Sequence, residues 1–203
     1  MKLSGVPCLA RALPSLALAC AVAFGAALPA RAEMMNEAAW KQGAQWMSLR
    51  AGYAKSETRF APNGNFGWGF GYSRMVSRRI SLGANFEQDL LGKFGGASML
   101  DFPVVFETQW HFAWRTALRP YFGLGMGAVY RKTYRTGADR SNIQPAYTGS
   151  VGVNTPIDKN HLLGLDVRLS GVSSDRPGEN PVFQNEKPRN GHWGVKLVYA
   201  LTY

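Results

Sequence analysis

The chain has 203 residues, which is enough for one domain with a sizeable core or for one closed barrel. Its two cysteines, Cys8 and Cys20, both lie within the first 32 residues, so the remainder holds no disulfide framework, zinc knuckle or thiol nucleophile. The formal net charge is +10 at pH 7, and such a basic balance suits either nucleic acid or another anionic surface.

Residues 1–32 have the pattern of a secretory signal peptide. Lys2 and Arg11 give a positive start, and an almost wholly apolar run follows over residues 16–28. Residues 29–32, Pro-Ala-Arg-Ala, then supply a helix breaker and a small–x–small cleavage pattern, so we expect cleavage after Ala32. The alternative is a transmembrane anchor, but the apolar run is short for a bilayer.

Export determines which anionic partner the basic charge indicates. The first 32 residues hold three of the 23 basic residues and none of the 13 acidic ones, so the rest keeps a net charge of +7. An exported protein of a Gram-negative bacterium meets anionic lipopolysaccharide. We therefore expect lipopolysaccharide and outer-membrane lipid as partners, no nucleic acid and no cofactor.

Residues 33–45 do not fit a strand, and we expect an N-terminal arm or a short helix there, with Trp40 touching the membrane interface. Residues 46–203 contain no apolar stretch as long as a membrane helix. If they span a membrane, they must do so as a closed barrel, because only closure pairs every backbone group away from water.

The clearest strand signal lies over residues 66–73, where Phe66, Trp68, Phe70 and Tyr72 alternate with glycine and serine. Glycine on the inner wall of a narrow barrel makes room for bulky neighbours across the lumen. The fifth strand repeats the pattern over residues 122–130. The other six strands are predicted from outward apolar positions, which are Met47, Leu49, Ala51 and Tyr53; Ile80, Leu82, Ala84 and Phe86; Leu100, Phe102, Val104 and Phe106; Tyr147, Val151 and Val153; Leu163, Leu165, Val167 and Leu169; and Trp193, Val195, Leu197, Tyr199, Leu201 and Tyr203.

These segments predict an all-β fold, an eight-stranded antiparallel transmembrane β-barrel over residues 46–203. Short turns are predicted at residues 77–79 and 155–160, and a longer connection at residues 112–119. Longer polar loops are predicted at residues 55–65, 88–98, 131–144 and 173–191. In outer-membrane barrels the short turns face the periplasm, so both termini are expected there.

The opposite parity of each strand predicts the residues that line the lumen. Its charged members are nearly balanced, which favours an ion-paired core in a barrel that side chains just fill. The alternative interpretation of the lumen is a narrow pore for small solutes. The predicted ion-pair network consists of Arg50, Glu87, Asp101, Glu107, Asp166, Arg168 and Lys196.

Two stretches carry a family resemblance. The last strand alternates apolar residues up to the chain end, with Trp193, Tyr199 and Tyr203, and this resembles the signal by which the barrel assembly machinery recognises its substrates. Residues 119–127 and 151–153 resemble the small outer-membrane β-barrel superfamily, which includes OmpA-like, OmpX-like and lipid A deacylase-like barrels. The resemblance implies integral insertion in the cell outer membrane, and it is specific for architecture rather than activity.

The deacylase-like members imply one enzymatic alternative, a lipid A-modifying esterase. Their His-x-Ser-Asn stretch is replaced here by Arg168-Leu169-Ser170-Gly171, which lacks the histidine. Ser170 and His192, with Glu179 or Glu186 between them, are therefore weak candidates for nucleophile, base and orienting acid.

The predicted loop at residues 131–144 is basic, and Arg131, Lys132, Arg135 and Arg140 are its candidate contacts for lipopolysaccharide phosphates. The alternative is a merely solvated surface. His111, next to Trp110, is predicted in an aromatic girdle at the membrane boundary. The three histidines show no metal-site spacing. The leading functional hypothesis is a structural or surface-interaction protein of the cell envelope, and the oligomeric state stays open.

Overall fold

A computed structural model describes residues 38–57, 63–94, 97–112, 118–135, 139–172 and 191–203. Eight strands account for most of them, and each strand pairs antiparallel with the next one along the chain. The strands are β1 Gln45–Ser56, β2 Asn65–Met75, β3 Ile80–Phe94, β4 Ala97–His111, β5 Arg119–Arg135, β6 Arg140–Pro156, β7 His161–Val172 and β8 His192–Thr202. None of the helical residues described forms a helix long and apolar enough to cross a bilayer.

The sheet closes on itself because β1 also pairs with β8, from Trp46 opposite Thr202 to Ser56 opposite His192. Closure leaves no sheet edge along the common length of the strands. The predicted eight-stranded antiparallel barrel is confirmed. β1 begins at Gln45, one residue before the predicted boundary.

The alternation predicted for β2 and β5 is also present in the structure. Phe66 and Phe70 on β2 are exposed on the outer wall, while the glycines between them face inward. A Cβ atom on Gly67 would collide with the Asp89 carboxylate, and one on Gly123 would collide with the Glu107 carboxylate. These glycines therefore leave the space that the charged side chains of the lumen occupy.

Four strands are longer than the sequence predicts. β3 extends to Phe94 and β4 begins at Ala97, so most of the predicted loop at residues 88–98 is strand. β5 extends to Arg135 and β6 begins at Arg140, so the predicted loop at residues 131–144 is wrong in the same way. The physical reason is that inward polar residues of these segments, such as Asp89 and Arg131, fill the lumen, and polarity alone does not make a loop.

We call the two openings the turn end and the loop end. At the turn end, residues 76–79 join β2 to β3 and residues 157–160 join β6 to β7. The first residues of β1 and the last residues of β8 lie at the same end. At the loop end lie the connection between β1 and β2, of which residues 58–62 are not described, and the predicted loop at residues 173–191, of which only Gly191 is described.

The N-terminal arm is described from Ala38 onward, where a helical turn is followed by a bend. Trp40 is only 1% exposed and lies in an apolar cluster at the turn end. The prediction that Trp40 touches the membrane interface is therefore wrong, because the arm folds back over the barrel opening.

Candidate functional site

The lumen holds the densest group of charged side chains in the described residues. Inward-facing positions of six strands place five carboxylates and four bases in the interior, each at most 7% exposed. We call this group the lumen network, and it consists of Arg50, Glu87, Asp89, Asp101, Glu107, Arg131, Asp166, Arg168 and Lys196. The structure brings together all seven residues predicted for it and adds Asp89 and Arg131.

Arg168 on β7 is the centre of the network. Its Nη1 lies 3.0 Å from Glu87 Oε1, its Nη2 lies 2.9 Å from Glu107 Oε2, and its Nε lies 3.5 Å from Asp166 Oδ1. A buried guanidinium needs such partners, because its desolvation exceeds what one ion pair returns. Two carboxylates from across the barrel, on β3 and β4, and one from β7 itself therefore hold this cation.

Lys196 on β8 connects the centre to the loop-end half of the lumen. Its Nζ donates to Glu87 Oε2 at 2.8 Å and to Asp89 Oδ1 at 2.5 Å. Arg50 Nη1 lies 3.5 Å from Glu87 Oε1, so Glu87 faces three cations.

Neutral polar groups extend the network towards the turn end. The Tyr121 hydroxyl donates to Asp166 Oδ2 at 2.5 Å, and Asn85 Nδ2 donates to Glu107 Oε2 at 2.6 Å. The Ser150 hydroxyl donates to the other oxygen of Glu107. These groups are all buried, which is consistent with a barrel centre that is filled by side chains.

Arg131 on β5 corrects a sequence prediction. Its Nε and Nη2 each donate to a different oxygen of Asp101 at 2.7 Å, and Arg131 is 5% exposed. A guanidinium held in this bidentate pair inside the lumen is not available to a lipopolysaccharide phosphate. Lys132, the next residue, faces outward, and its Nζ lies 4.5 Å from the centroid of the Tyr134 ring. Arg135 and Arg140 lie within β5 and β6, and their side chains are not described.

Ser170 and His192, the weak catalytic candidates, are direct partners across β7 and β8 and both face the lumen. His192 Nε2 lies 3.4 Å from Asp89 and His192 Nδ1 lies 3.6 Å from Asp101, so both ring nitrogens face carboxylates. In the part of the chain that the structure describes, Ser170 Oγ has no hydrogen-bond partner. A serine nucleophile needs a nitrogen of the base for its proton, and this geometry does not supply one. Glu179 and Glu186 lie outside the described residues.

Apolar clusters flank the charged centre on both sides. At the turn end, Trp40, Trp46, Met75 and Leu162 are all buried, with Ala39 and Ala200 beside them. Towards the loop end, the inner wall carries two small clusters, one of Ala54, Leu91 and Met99 and one of Val129, Ala146 and Val172. No described stretch of the inner wall is both polar and well exposed to solvent from one end to the other.

His111 lies in the lumen at the turn end, so the prediction that it belongs to an aromatic girdle is wrong. It is fully buried, its Nε2 lies 3.0 Å from Ser81 Oγ, and its ring lies 5.2 Å from that of Trp46. The prediction failed because His111 has inward parity on β4, whereas Trp110 next to it is outward and 52% exposed. No cluster of three or more His, Cys, Asp or Glu side chains suited to a metal ion occurs among the described residues.

The outer wall has the opposite composition. Large apolar side chains are exposed on all eight strands. Examples that are 60–73% exposed are Leu49, Phe106, Met126, Tyr147 and Leu197. The residues predicted as an assembly signal lie on β8 and at its end: Trp193 is half-buried against Tyr53, and Tyr199 and Tyr203 are exposed.

Sequence comparison finds no protein-family model and no characterised protein that matches the chain. Among solved structures, Neisserial surface protein A superposes with a TM-score of 0.63 at 11% identity, covering 80% of this chain and 100% of that one. The N-terminal β-barrel domain of Pseudomonas aeruginosa OprF gives 0.52 at 12% identity, covering 80% and 98%. Yersinia pestis Ail in complex with the heparin analogue sucrose octasulfate gives 0.50 at 14% identity, covering 79% and 98%. The chain therefore has the fold of small outer-membrane barrels.

Proposed function

We propose that this chain is an integral outer-membrane protein with a structural or surface-interaction role, held in the membrane by its apolar outer wall and in contact with lipopolysaccharide at the loop end. The observation that carries the proposal is the inverted distribution of polarity. Charged side chains are buried in the lumen, whereas large apolar side chains such as Phe106 and Met126 are 67% and 73% exposed on the outer wall. Water penalises an apolar surface of this extent, and hydrocarbon does not.

The height of the apolar wall supports the same proposal. On β5 the outward side chains are apolar or aromatic from Phe122 to Tyr130, and Lys132 follows as the first outward charge. A tilted strand needs about 9–11 residues to cross the apolar core of a bilayer. Aromatic side chains lie towards both ends of the wall, where interfacial girdles are found in such barrels, with Tyr130 and Tyr134 near the loop end and Trp110 and Phe112 near the turn end.

Membrane integration is tested by extracting cell envelopes with carbonate, urea and detergent. We expect the chain to resist carbonate and urea, to dissolve only in detergent, and to migrate faster on a gel before boiling than after it. A chain that leaves the membrane in carbonate, or that is soluble in the periplasm, would contradict the proposal.

Contact with lipopolysaccharide is proposed at Lys132, which projects from the outer wall just beyond the apolar band. Its ammonium group rests on the Tyr134 ring on the outer wall, whereas the five carboxylates of the lumen network are buried on the inner side. An ammonium group at this height suits a phosphate of lipid A, as a compact point charge. Arg135 and Arg140 are proposed to add to the same surface, because they end β5 and begin β6 on either side of one hairpin.

The matched test compares Lys132→Glu with Lys159→Glu, which makes the same change on the exposed turn at the opposite end. We expect Lys132→Glu to weaken binding of the purified barrel to lipopolysaccharide several-fold and Lys159→Glu to leave it unchanged. Dephosphorylated lipopolysaccharide and phosphatidylglycerol vesicles distinguish lipid A phosphate from a general anionic surface. Equal effects of the two substitutions would remove the loop-end contact.

The barrel assembly machinery is the partner proposed for insertion. Trp193, Tyr199 and Tyr203 point outward on the last strand, where a receptor can reach them. Deleting Tyr203 is expected to slow insertion into vesicles that contain the machinery and to leave spontaneous folding in detergent unchanged.

The two alternatives receive no support from the described geometry. A pore for small solutes needs a continuous polar path, whereas the lumen network is buried in the barrel centre and the apolar cluster around Met75 and Trp40 lies at the turn end. A lipid A-modifying esterase needs an accessible nucleophile, and Ser170 is buried in the lumen, away from any acyl chain in the bilayer. Planar-bilayer conductance and mass spectrometry of lipid A from cells that express the protein test them directly, and we expect no channel and no modified lipid A.

A further inference from the structure

The turn end is covered by a segment of the chain that belongs to no strand. Residues 38–44 turn back over the opening, and Trp40 is 1% exposed beneath this turn. Trp40 packs edge-on against Trp46 with the ring centroids 5.6 Å apart, and the guanidinium carbon of Arg119 lies 4.5 Å from the Trp40 ring centroid. The Trp40 side chain is therefore contacted by Trp46 and by Arg119.

Hydrogen bonds to β1 and β2 attach the segment to the barrel. Trp46 Nε1 donates to the carbonyl oxygen of Ala39 at 2.7 Å. The amide of Gly43 donates to the carbonyl oxygen of Met75, and the amide of Met75 donates to the carbonyl oxygen of Ala44, each at 2.8 Å. The last two bonds fix the base of the segment to β2, so Trp40 and the bond to Ala39 hold the remainder.

The segment has a pivot at its base. Gly43 has a φ of +91° and is the one residue with positive φ in the described residues. A Cβ atom at this position would meet nothing within 4 Å. The backbone and not packing therefore demands glycine here, because side-chain-bearing residues rarely adopt this conformation.

At the segment, two buried polar atoms have no hydrogen-bond partner among the described residues. They are Trp40 Nε1 and His111 Nδ1, and His111 is bonded through its other nitrogen to Ser81. Burial of an unsatisfied donor or acceptor costs free energy that solvent returns on exposure. The closed position thus combines ring packing with a local penalty that opening to solvent would relieve.

We propose that residues 38–44 form a displaceable plug of the turn end, latched by Trp40 and hinged at Gly43, whose opening admits water to the ring of Ser81, His111 and Trp46. Opening extends no further than the lumen network, because Tyr121 and Asp166 close the interior directly above this ring. The device needs the closed barrel and does not depend on the membrane location or the lipopolysaccharide contact, so purified protein folded in detergent tests it alone.

The test uses a single cysteine placed beneath the plug. Residues 33–203 contain no cysteine, so Ser81→Cys gives a unique thiol at a position that is 1% exposed. Its rate of reaction with a small charged methanethiosulfonate reports how often the plug opens. Trp40→Ala is expected to raise that rate by about tenfold or more, because it removes the latch.

A matched control separates plug opening from a simple cavity. Leu162→Ala truncates another buried side chain of the same apolar cluster, but on β7, and leaves the latch in place. We expect it to change the labelling rate by less than about twofold. Equal acceleration by Trp40→Ala and Leu162→Ala would overturn the proposal.

A second variant keeps Trp40 and disturbs only the hinge, in case the truncated protein does not fold. Gly43→Ala strains the closed backbone and is expected to raise the labelling rate several-fold, whereas Gly43→Asn, which tolerates positive φ better, raises it less. A labelling rate that stays at the parent value in Gly43→Ala would show that residues 38–44 are a fixed part of the barrel and would also overturn the proposal.

Discussion

The two halves of the lumen are filled by different chemistry. From the centre to the loop end, ion pairs accompany two small apolar clusters, with Arg131 bidentate on Asp101 and Lys196 between Glu87 and Asp89. At the turn end it is held by rings and aliphatic side chains, with Trp40 against Trp46 and with Leu162 in the same cluster. The ionic half is built wholly from strand residues, whereas the turn end borrows Trp40 from outside the sheet.

The contrast indicates two ways in which the lumen of a narrow barrel can be closed to water. Ion pairs that reach across the barrel fix the relative positions of distant strands, since Arg168 on β7 touches carboxylates on β3 and β4. Each such pair is sensitive to the loss of either partner. Apolar packing is less specific, and it tolerates a segment that enters and leaves. The ionic half should therefore depend on individual charges, and the turn end on buried volume.

The largest expected effect comes from breaking the ionic half at Glu87. Glu87→Ala leaves Arg168, Lys196 and Arg50 without their shared carboxylate, so we expect the free energy of unfolding to fall by about 3–5 kcal/mol. Guanidinium unfolding in detergent micelles, followed by tryptophan fluorescence, measures it. Asp158→Asn, on the exposed turn before β7, is the control and should change the value by less than about 0.5 kcal/mol. A similar small change for Glu87→Ala would mean that water solvates the network.

A second prediction contrasts two neighbours on β5 that lie on opposite walls. Arg131→Met leaves Asp101 buried without its bidentate partner and should destabilise the barrel by about 3 kcal/mol. Lys132→Met removes the same charge one residue later, on the outer wall, and should leave the free energy of unfolding close to that of the parent. The same unfolding measurement decides the matter. Equal losses would contradict the inward placement of Arg131.

The sequence predicted the barrel because alternation is a local property. A contrast between apolar and small or polar residues at every second position identifies a strand and both of its walls, as at Phe66 and Gly67. The seven lumen charges followed from parity alone. Asp89 and Arg131 were missed because the contrast fades in the strand extensions, where Gln88 and Lys132 on the outer wall are polar too. Continuing the parity of Glu87 by two residues would have found Asp89.

The turn end was not predictable in the same way. Trp40 lies in a segment with no periodicity, and its burial depends on contacts with Trp46 and with Arg119, which is far along the chain. Nothing local distinguishes a tryptophan that covers a barrel opening from one that lies at a membrane surface. His111 was misplaced for a related reason, because its aromatic neighbours outweighed its inward parity.

The smallest expected effect concerns two glycines, one on each wall, whose substitution removes no charged group. Gly123 on β5 faces the lumen, and a Cβ atom there would collide with Ser150 and with Glu107, so Gly123→Ala should destabilise the barrel by about 1–3 kcal/mol. Gly149 on β6 faces outward with nothing within 4 Å of an added Cβ atom, so Gly149→Ala should stay within about 0.5 kcal/mol of the parent. Both substitutions add one methyl group to a strand, and only the wall differs. If Gly149→Ala proved the more damaging, the outer wall at β6 would be packed against something other than lipid, and the assignment of inside and outside would have to be revised.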